Sequence, residues 1–329
     1  MSERMLCVRC FLHPGSETLG LCQEGGCASY YHQKKKENPD LAVEEYVRNY
    51  PSRRSGKVVS ISREEEIARV ASIEAPVSEL MPGFVVYSDA MMLLHEKLKR
   101  VSPRDTAVLI SGESGVGKEY IAEAIHMNSA RAHGSYVIVD CATLSETLFE
   151  AELFGHVKGS YTGASSTEKG LLQKSEGGTV FLDEISTLSP KLQMKLLRFL
   201  EKGTLRKLGS IKDESVDTRV VAATNAPLRE LVEDGNFRKD LFYRLNVFSL
   251  FVEPLRERTE DIPVLALYIA RGISGTEISF SERVIDFFEK YPWPGNVREL
   301  RNTVEYALVM CRDDIITTHD LPDEFVRSK

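Results

Sequence analysis

The chain has 329 residues, 42% of them hydrophobic, and its formal net charge at pH 7 is −7. This length allows two domains and an appendage. No apolar run approaches the roughly 18 residues that a membrane-spanning helix needs, and the first residues lack the apolar core of a signal peptide. The negative charge argues against a chain that coats nucleic acid through bulk electrostatics. We therefore expect a soluble protein with no membrane segment.

The first predicted element is a Cys- and His-rich segment over residues 1–33, because four of the six cysteines lie within the first 27 residues. Thiolates and an imidazole at this spacing suit tetrahedral Zn²⁺, and so small a segment could hardly fold without metal. The best ligand set is Cys10, His13, Cys22 and Cys27, and the substitutes are Cys7 and His32. The segment loosely resembles a B-box-like zinc finger, although four residues separate its last two cysteines instead of two. Free thiols in a disordered tail are the alternative.

Residues 34–82 are polar, charged and weakly periodic, which predicts a linker with short helices around Leu41–Tyr50 and Glu64–Ser72. From 83 to 253, apolar strands alternate with helical patterns. This alternation predicts an α/β domain whose parallel sheet is connected by crossover helices. The predicted strands are Ala107–Ile110, Tyr136–Val139, Val180–Leu182, Arg219–Ala223 and Val247–Phe251.

Residues 254–329 show only helical patterns, which predict a small all-α subdomain. Its predicted helices are Ile262–Arg271, Ser281–Lys290 and Asn296–Cys311. In the α/β part, Thr143 and Glu146 have the spacing of a capping box. Ser189-Pro190 is typical of a helix start, and Gly203 of a helix end.

A glycine-rich loop joins the first predicted strand to a helix. Its residues are Gly112, Glu113, Ser114, Gly115, Val116, Gly117, Lys118 and Glu119. Backbone N–H groups and the positive end of a helix dipole meet there, which suits a polyphosphate, and Lys118 can reach the β- and γ-phosphates. A tight surface turn is the alternative, and a second strand that ends in two carboxylates argues against it.

That second strand ends in Asp183 and Glu184. The strict Walker A pattern has Ser or Thr after its lysine to hold Mg²⁺, but Glu119 stands there, so the metal must rely on Asp183, nucleotide oxygens and water. Glu184 is the candidate that orients and deprotonates the attacking water. Together the two motifs predict a site that hydrolyses a nucleoside triphosphate, with a merely solvated strand end as the alternative for the carboxylates.

Two further groups are candidates for the same chemistry. Asn225 follows a predicted strand and could hydrogen-bond the water or the γ-phosphate, although a simple strand-end turn explains it equally well. Arg238 and Arg244 lie six residues apart, and an arginine from a neighbouring subunit can raise the rate by about 10³ to 10⁵. Surface arginines without such a role are the alternative.

The segment Glu152–Ala164 reads ELFGHVKGSYTGA and closely resembles the ELFGHxxGAFTGA signature of bacterial sigma-54-dependent transcription activators, which belong to the AAA+ class. The resemblance covers residues 84–326. The other shared motifs are the Walker A form ending in Glu119, GGTVFLDE at 177–184, Ala223-Thr224-Asn225, FRKDLFYRLNV at 237–247 and Trp293–Leu300.

The resemblance implies a ring, usually a hexamer, with ATP bound between subunits. Asn225 would be sensor I, Arg298 the sensor II arginine of the helical lid, and Arg238 and Arg244 would act in trans. The loop implied to grip sigma-54 consists of Gly159, Ser160, Tyr161, Thr162, Gly163 and Ala164. Leu205–Asp217 would be a second pore loop.

The implied function is a cytoplasmic bacterial ATPase that couples hydrolysis to remodelling of the closed complex of sigma-54 RNA polymerase holoenzyme and so activates transcription. Two alternatives stay open. One is another AAA+ remodelling machine, such as a protein-unfolding chaperone, and the other is a non-catalytic, nucleotide-gated scaffold.

The chain departs from the family pattern in its pore loop, at Asp140 and after its lid. Ser160 and Tyr161 replace Ala and Phe in the pore loop, and Asp140 stands where the family commonly has an asparagine thought to restrain the catalytic glutamate. An ionised aspartate has no N–H to donate, so the resemblance implies an altered switch here, and an Asp140 that merely turns outward to solvent is the alternative. No helix-turn-helix pattern follows the lid, so we expect no direct DNA binding by this chain alone: either the form is truncated or it acts without binding an enhancer itself.

Overall fold

The computed structural model describes residues 84–142 and 145–326. The linker helices and the zinc ligands predicted from the sequence lie outside these residues. The described chain divides into two compact units, one of residues 84–257 and 294–298 and one of residues 258–293 and 299–326.

The first unit is built on a five-stranded sheet in which all neighbouring strands pair in parallel. The strands are β1 (Val108–Ser111), β2 (Tyr136–Asp140), β3 (Thr179–Asp183), β4 (Arg219–Thr224) and β5 (Phe248–Phe251). Their order across the sheet is β2-β3-β4-β1-β5. All five strands predicted from the sequence are confirmed, each boundary within one residue.

The helices of the first unit cover both faces of this sheet. They are α1 (Asp89–Val101), α2 (Lys118–Met127), α3 (Glu146–Phe154), α4 (Leu171–Lys174), α5 (Pro190–Lys202), α6 (Leu228–Glu233) and α7 (Lys239–Leu245). Successive strand residues face opposite sides. Phe181 therefore packs with the α1 and α2 side, while Val180 and Leu182 pack with α3, α5 and α7.

Helix ends were predicted with mixed success. Ser189 caps α5 by accepting from the backbone N–H of Leu192 at 3.5 Å, and Gly203 ends the helix at φ 62°, as predicted. The capping box was wrong, because α3 begins two residues later than expected, with Ser145 at its N-cap position. Thr143 lies outside the described residues. Thr143 and Ser145 are both residues of cap type, so the sequence alone does not fix this boundary.

Two short antiparallel hairpins project from the first unit. Gly155–His156 pairs with Glu168–Lys169, and Thr204–Arg206 pairs with Asp213–Ser215. The first hairpin flanks the predicted loop Gly159–Ala164, and the second makes up most of the predicted loop Leu205–Asp217. Strands of two or three residues are too short for hydrophobic periodicity to reveal.

The second unit is mainly helical. Its helices are α8 (Asp261–Ser274), α9 (Glu282–Lys290), α10 (Asn296–Met310), whose first residues belong to the first unit, and α11 (Asp323–Val326). The predicted helical lid is confirmed, and the structure adds a short parallel pair that the sequence did not predict, β6 (Ser279–Phe280) and β7 (Ile315–Ile316). Trp293 is fully buried in this unit and donates to the Phe288 carbonyl at 2.7 Å. None of the described helices combines the length and apolarity required to traverse a bilayer.

Candidate functional site

The glycine-rich loop between β1 and α2 has a backbone that only glycines allow. Gly115 has φ 79°, and a Cβ built on it would lie 2.3 Å from the carbonyl oxygen of Gly295. Gly117 occupies the N-cap position of α2 at φ 103° and offers no capping side chain. The first N–H groups of α2 are therefore open to an external acceptor, which is the arrangement that binds phosphate.

Lys118 is buried and its ammonium lies at the inner side of this loop. It donates to the carbonyl oxygens of Gly112 at 2.9 Å and Glu113 at 3.1 Å. The ammonium is 3.9 Å from a carboxylate oxygen of Glu184. Burial lowers the pKa of Lys118, and the charges of Glu184 and Asp183 partly oppose that shift. The loop thus holds a cation next to the carboxylates predicted from the sequence.

Asp183 and Glu184 lie at the carboxyl end of β3. Glu184 has φ 52° and its backbone N–H donates to Asp183 Oδ1 at 3.0 Å. Its own carboxylate accepts from the backbone N–H of Asn225, just after β4, at 3.4 Å. Lys118, Glu184 and Asn225 are therefore brought together as the sequence predicted.

The donors at this edge fit a magnesium ion that is held only partly by protein. Within residues 84–142 and 145–326, no cluster of three or more His, Cys, Asp or Glu side chains could hold a metal. Mg²⁺ ordinarily uses one or two carboxylates together with substrate phosphates and water. Asp183 and Glu184 match that need.

Asp140 ends β2 directly beside Asp183 in the sheet register. Its Oδ1 accepts from the backbone N–H of Ala142 at 2.8 Å. Between these carboxylates lies Cys141, whose pKa is raised by burial and further by the charges of Asp140, Asp183 and Glu184. Three carboxylates therefore share one end of the sheet.

The two arginines predicted to act in trans contact groups outside the glycine-rich loop, residues 112–119, which is called the phosphate loop below. Arg238 forms a bidentate pair with Asp240, at 3.0 and 2.7 Å. Arg244 donates twice to the carbonyl oxygen of Leu200, at 3.1 and 2.8 Å. Both side chains are exposed on the surface of the first unit.

Arg298 reaches the phosphate loop. Its guanidinium donates to Ser114 Oγ at 3.2 Å, and its backbone N–H donates to the Gly115 carbonyl at 3.3 Å. Sequence reasoning placed Arg298 here through the family resemblance. It missed Arg256, which pairs with Glu113, and it placed Asn296 only at the start of a predicted helix. No periodicity or spacing indicates either contact.

The predicted sigma-54 loop, Gly159–Ala164, is a tight, partly exposed turn between two short strands. The backbone N–H of Gly159 donates to the carbonyl of Ala164 at 2.9 Å, and that of Ala164 to the carbonyl of Tyr161 at 3.1 Å. The Tyr161 ring meets the buried His156 ring edge-on, with centroids 5.2 Å apart. The turn thus presents its aromatic residue on a short, hydrogen-bonded base.

The second predicted pore loop packs against the first. The carbonyl of Leu208 accepts from the Val157 N–H at 3.1 Å. A Cβ on Gly209 would lie 2.7 Å from the Cβ of Ser160, so the two loops are in close contact. Ile211 at the tip of the second loop is 92% exposed. Two loops and an apolar tip therefore form one surface.

Comparison with known proteins assigns both parts of the described chain. The family model for the sigma-54 interaction domain matches residues 84–251, and that for the AAA+ ATPase lid domain matches residues 256–329. The chain is 46% identical over 246 residues to the nitrogen fixation protein AnfA of Azotobacter vinelandii, covering 74% of this chain and 46% of that protein. It is 42% identical to the transcriptional regulatory protein ZraR of Klebsiella oxytoca, covering 80% and 61%. The chain thus spans about half the length of such relatives.

A solved structure agrees with this assignment. NtrX from Brucella abortus, crystallised in complex with ATP, is 33% identical with a TM-score of 0.67. The match covers 76% of this chain and 57% of NtrX. NtrX has also been crystallised in complex with ADP.

Proposed function

The chain belongs to the sigma-54 interaction domain family of AAA+ ATPases, and on that premise we propose that it hydrolyses ATP to remodel the closed complex of sigma-54 RNA polymerase holoenzyme, thereby activating transcription. The observation that carries the proposal is the convergence of Lys118, Glu184 and Asn225 at the glycine-rich loop.

The reaction would be attack of water on the γ-phosphorus of ATP. Glu184 accepts a proton from the water as its oxygen bonds to phosphorus, and the bond to the β–γ bridging oxygen breaks, which releases ADP and phosphate. Lys118 and the N-terminus of α2 hold the phosphates, and Asn225 helps to orient the water. Mg²⁺, held by Asp183 with nucleotide oxygens, would neutralise charge that develops on the phosphates.

The full site would need a neighbouring subunit. The exposed Arg238 and Arg244 bind Asp240 and a helix-end carbonyl of their own chain, which supports a role outside their own nucleotide site. In a ring, proposed as a hexamer, they would reach the ATP of the next subunit and stabilise the transferred phosphoryl group.

The sigma-54 contact would be made by Gly159–Ala164, with Tyr161 as its aromatic residue. The positive φ of Gly159 (78°) and Gly163 (109°) supports a turn that glycines allow to change conformation. The ring of tyrosine gives a compact apolar contact. The ATPase would act in the bacterial cytoplasm, where the polymerase works.

We retain zinc binding by Cys10, His13, Cys22 and Cys27 as a separate proposal, supported only by the types and spacing of these residues. Near-stoichiometric zinc in the purified chain, lost on deletion of residues 1–33, would support it. Metal-free protein with an unchanged N-terminal fold would contradict it.

Mixing two inactive variants tests the shared site. Glu184→Ala lacks the water-activating carboxylate and Arg238→Ala lacks the trans arginine, so neither should hydrolyse ATP alone. In mixed rings, an intact Glu184 can face an intact Arg238, and phosphate release should return. Wild-type activity should rise steeply with protein concentration and vanish when EDTA removes Mg²⁺. No recovery on mixing, with specific activity independent of concentration, would contradict the proposal.

A further inference from the structure

Glu113 brings a negative charge into the loop that is proposed to hold polyphosphate. Its carboxylate pairs in bidentate fashion with Arg256, at 2.8 and 2.5 Å. The bonds from Arg256, followed by that from Asn296, lower the pKa of Glu113 to about 2. The carboxylate is therefore ionised throughout the neutral range, and Arg256 is its counter-charge.

Asn296 joins the same cluster from a buried position. Its amide nitrogen donates to Glu113 Oε2 at 3.1 Å and to the Ser114 carbonyl at 3.0 Å, while its amide oxygen accepts from the Leu255 N–H at 2.8 Å. It is fully buried and adopts φ 54°, a left-handed conformation that asparagine tolerates. One side chain thus ties the phosphate loop to the segment that carries Arg256.

Opposite charges and fixed geometry give this cluster two consequences for a bound anion. An ionised Glu113 without its partner would repel phosphate, because like charges at short range disfavour each other. The same bonds fix the backbone at Glu113 and Ser114. The Ser114 hydroxyl oxygen in turn accepts a hydrogen bond from the Arg298 guanidinium. We propose that Arg256 is a positioning residue for nucleotide binding: it neutralises Glu113 and, with Asn296, holds the phosphate loop ready for ATP.

This inference rests on the proposed ATP site and goes beyond it, since it assigns a role to a residue outside the nucleotide motifs. It also predicts how substitutions of Arg256 and Glu113 combine. If Arg256 acts by cancelling the charge of Glu113, removing that charge must rescue the loss of Arg256. A residue that only contributed to folding would show no such rescue.

The test measures the Kd for Mg·ATP by calorimetry in the wild type, Arg256→Ala, Glu113→Gln and the double variant. Arg256→Ala should weaken binding about tenfold, the scale of one charge-assisted hydrogen bond. Glu113→Gln is the background in which the loss of Arg256 is measured again: the amide keeps one acceptor oxygen but has no charge to neutralise, so Arg256→Ala should raise Kd by less than about threefold there. The double variant should bind ATP several-fold more tightly than Arg256→Ala.

Arg271→Ala is the matched control, since Arg271 forms an exposed pair with Glu277 at 2.8 Å in the second unit. Its Kd should equal that of the wild type, and thermal unfolding should show all variants folded at the assay temperature. A double variant that binds no better than Arg256→Ala, or Arg256→Ala with wild-type affinity, would overturn the positioning role. A wild-type protein that binds no ATP would instead overturn the proposed function itself.

Discussion

The phosphate loop and the sigma-54 loop are both rich in glycine, yet their glycines stand in opposite surroundings. In the phosphate loop, a Cβ on Gly115 would meet a carbonyl oxygen at 2.3 Å. In the sigma-54 loop, a Cβ on Gly159 would meet nothing within 4 Å, and one on Gly163 only the Tyr161 ring at 3.9 Å. The first loop needs glycine for close approach of backbone segments, whereas the second needs it for its backbone conformation alone.

This difference matches the tasks proposed for the two loops. Chemistry on a phosphate requires groups fixed within fractions of an ångström, which packing around Gly115 and the buried Lys118 provides. A loop that grips another protein and then moves benefits from open space and from glycines that tolerate several conformations. The same residue type therefore serves rigidity at one site and freedom at the other.

The largest expected effect on nucleotide binding comes from Gly115→Ala. The new methyl group must displace Gly295 or the loop, so we expect ATP affinity to fall by about 100-fold or more, beyond the ~1 kcal/mol that a left-handed conformation costs alanine. Gly235→Ala is the matched control, because Gly235 has a similar φ of 74° and no atoms within 4 Å of a Cβ. Calorimetry measures the Kd for ATP of both variants. Equal losses of affinity would show that the left-handed backbone, and not the close approach of Gly295 to Gly115, causes the effect.

Glu184→Ala should abolish turnover while it leaves nucleotide binding nearly intact. A lost general base lowers rates by about 10²- to 10⁴-fold, but Lys118 keeps its bonds to the Gly112 and Glu113 carbonyls. Phosphate release and ATP affinity are measured on the same preparation, with Glu233→Ala, at an exposed glutamate, as control. Equal losses of binding and turnover would mean that the carboxylate supports the loop instead of the water.

Asp140→Asn tests whether the carboxylates at the end of the sheet influence how hydrolysis is coupled to the sigma-54 loop. The amide can still accept from the Ala142 N–H, as Asp140 does at 2.8 Å, and it adds an N–H donor that an ionised aspartate lacks. We therefore expect ATPase activity to be kept and the number of open promoter complexes per ATP hydrolysed to rise. An unchanged ratio would show that Asp140 does not influence coupling.

The smallest effect is expected from Ser160→Ala in the sigma-54 loop. The Ser160 hydroxyl is buried and makes no hydrogen bond within the part of the chain that the structure describes. Removing it should stabilise the protein by up to about 1 kcal/mol, since a buried unpaired polar group is costly. Thermal unfolding measures this, with the exposed Ser166→Ala as control. A clear loss of stability would indicate a partner for the hydroxyl.

The sequence predicted the parts of the fold that long apolar runs determine. Such runs gave all five strands of the sheet, and ordered motifs placed Lys118, Glu184 and Asn225 at one edge. The pairing of Ser279–Phe280 with Ile315–Ile316 was missed, because two-residue strands carry no periodic signal.

The contacts around the phosphate loop were equally invisible in the sequence. Glu113 and Arg256 are 143 positions apart, and Glu113 and Asn296 are 183 apart. Only the folded chain brings them together, and a lone arginine or asparagine is usually a surface residue or a cap. The caps of α5 were predictable because Ser189, Pro190 and Gly203 act locally.

In this account, ATP hydrolysis at the glycine-rich loop drives sigma-54 remodelling through the loop Gly159–Ala164. Open-complex formation by sigma-54 RNA polymerase, measured beside phosphate release for wild type, Tyr161→Ala and the exposed-tyrosine control Tyr306→Ala, tests it directly. We predict that all three proteins hydrolyse ATP at similar rates and that only Tyr161→Ala fails to form open complexes. Open complexes formed by Tyr161→Ala at the wild-type rate, or none formed by the wild type with ATP, would contradict the account.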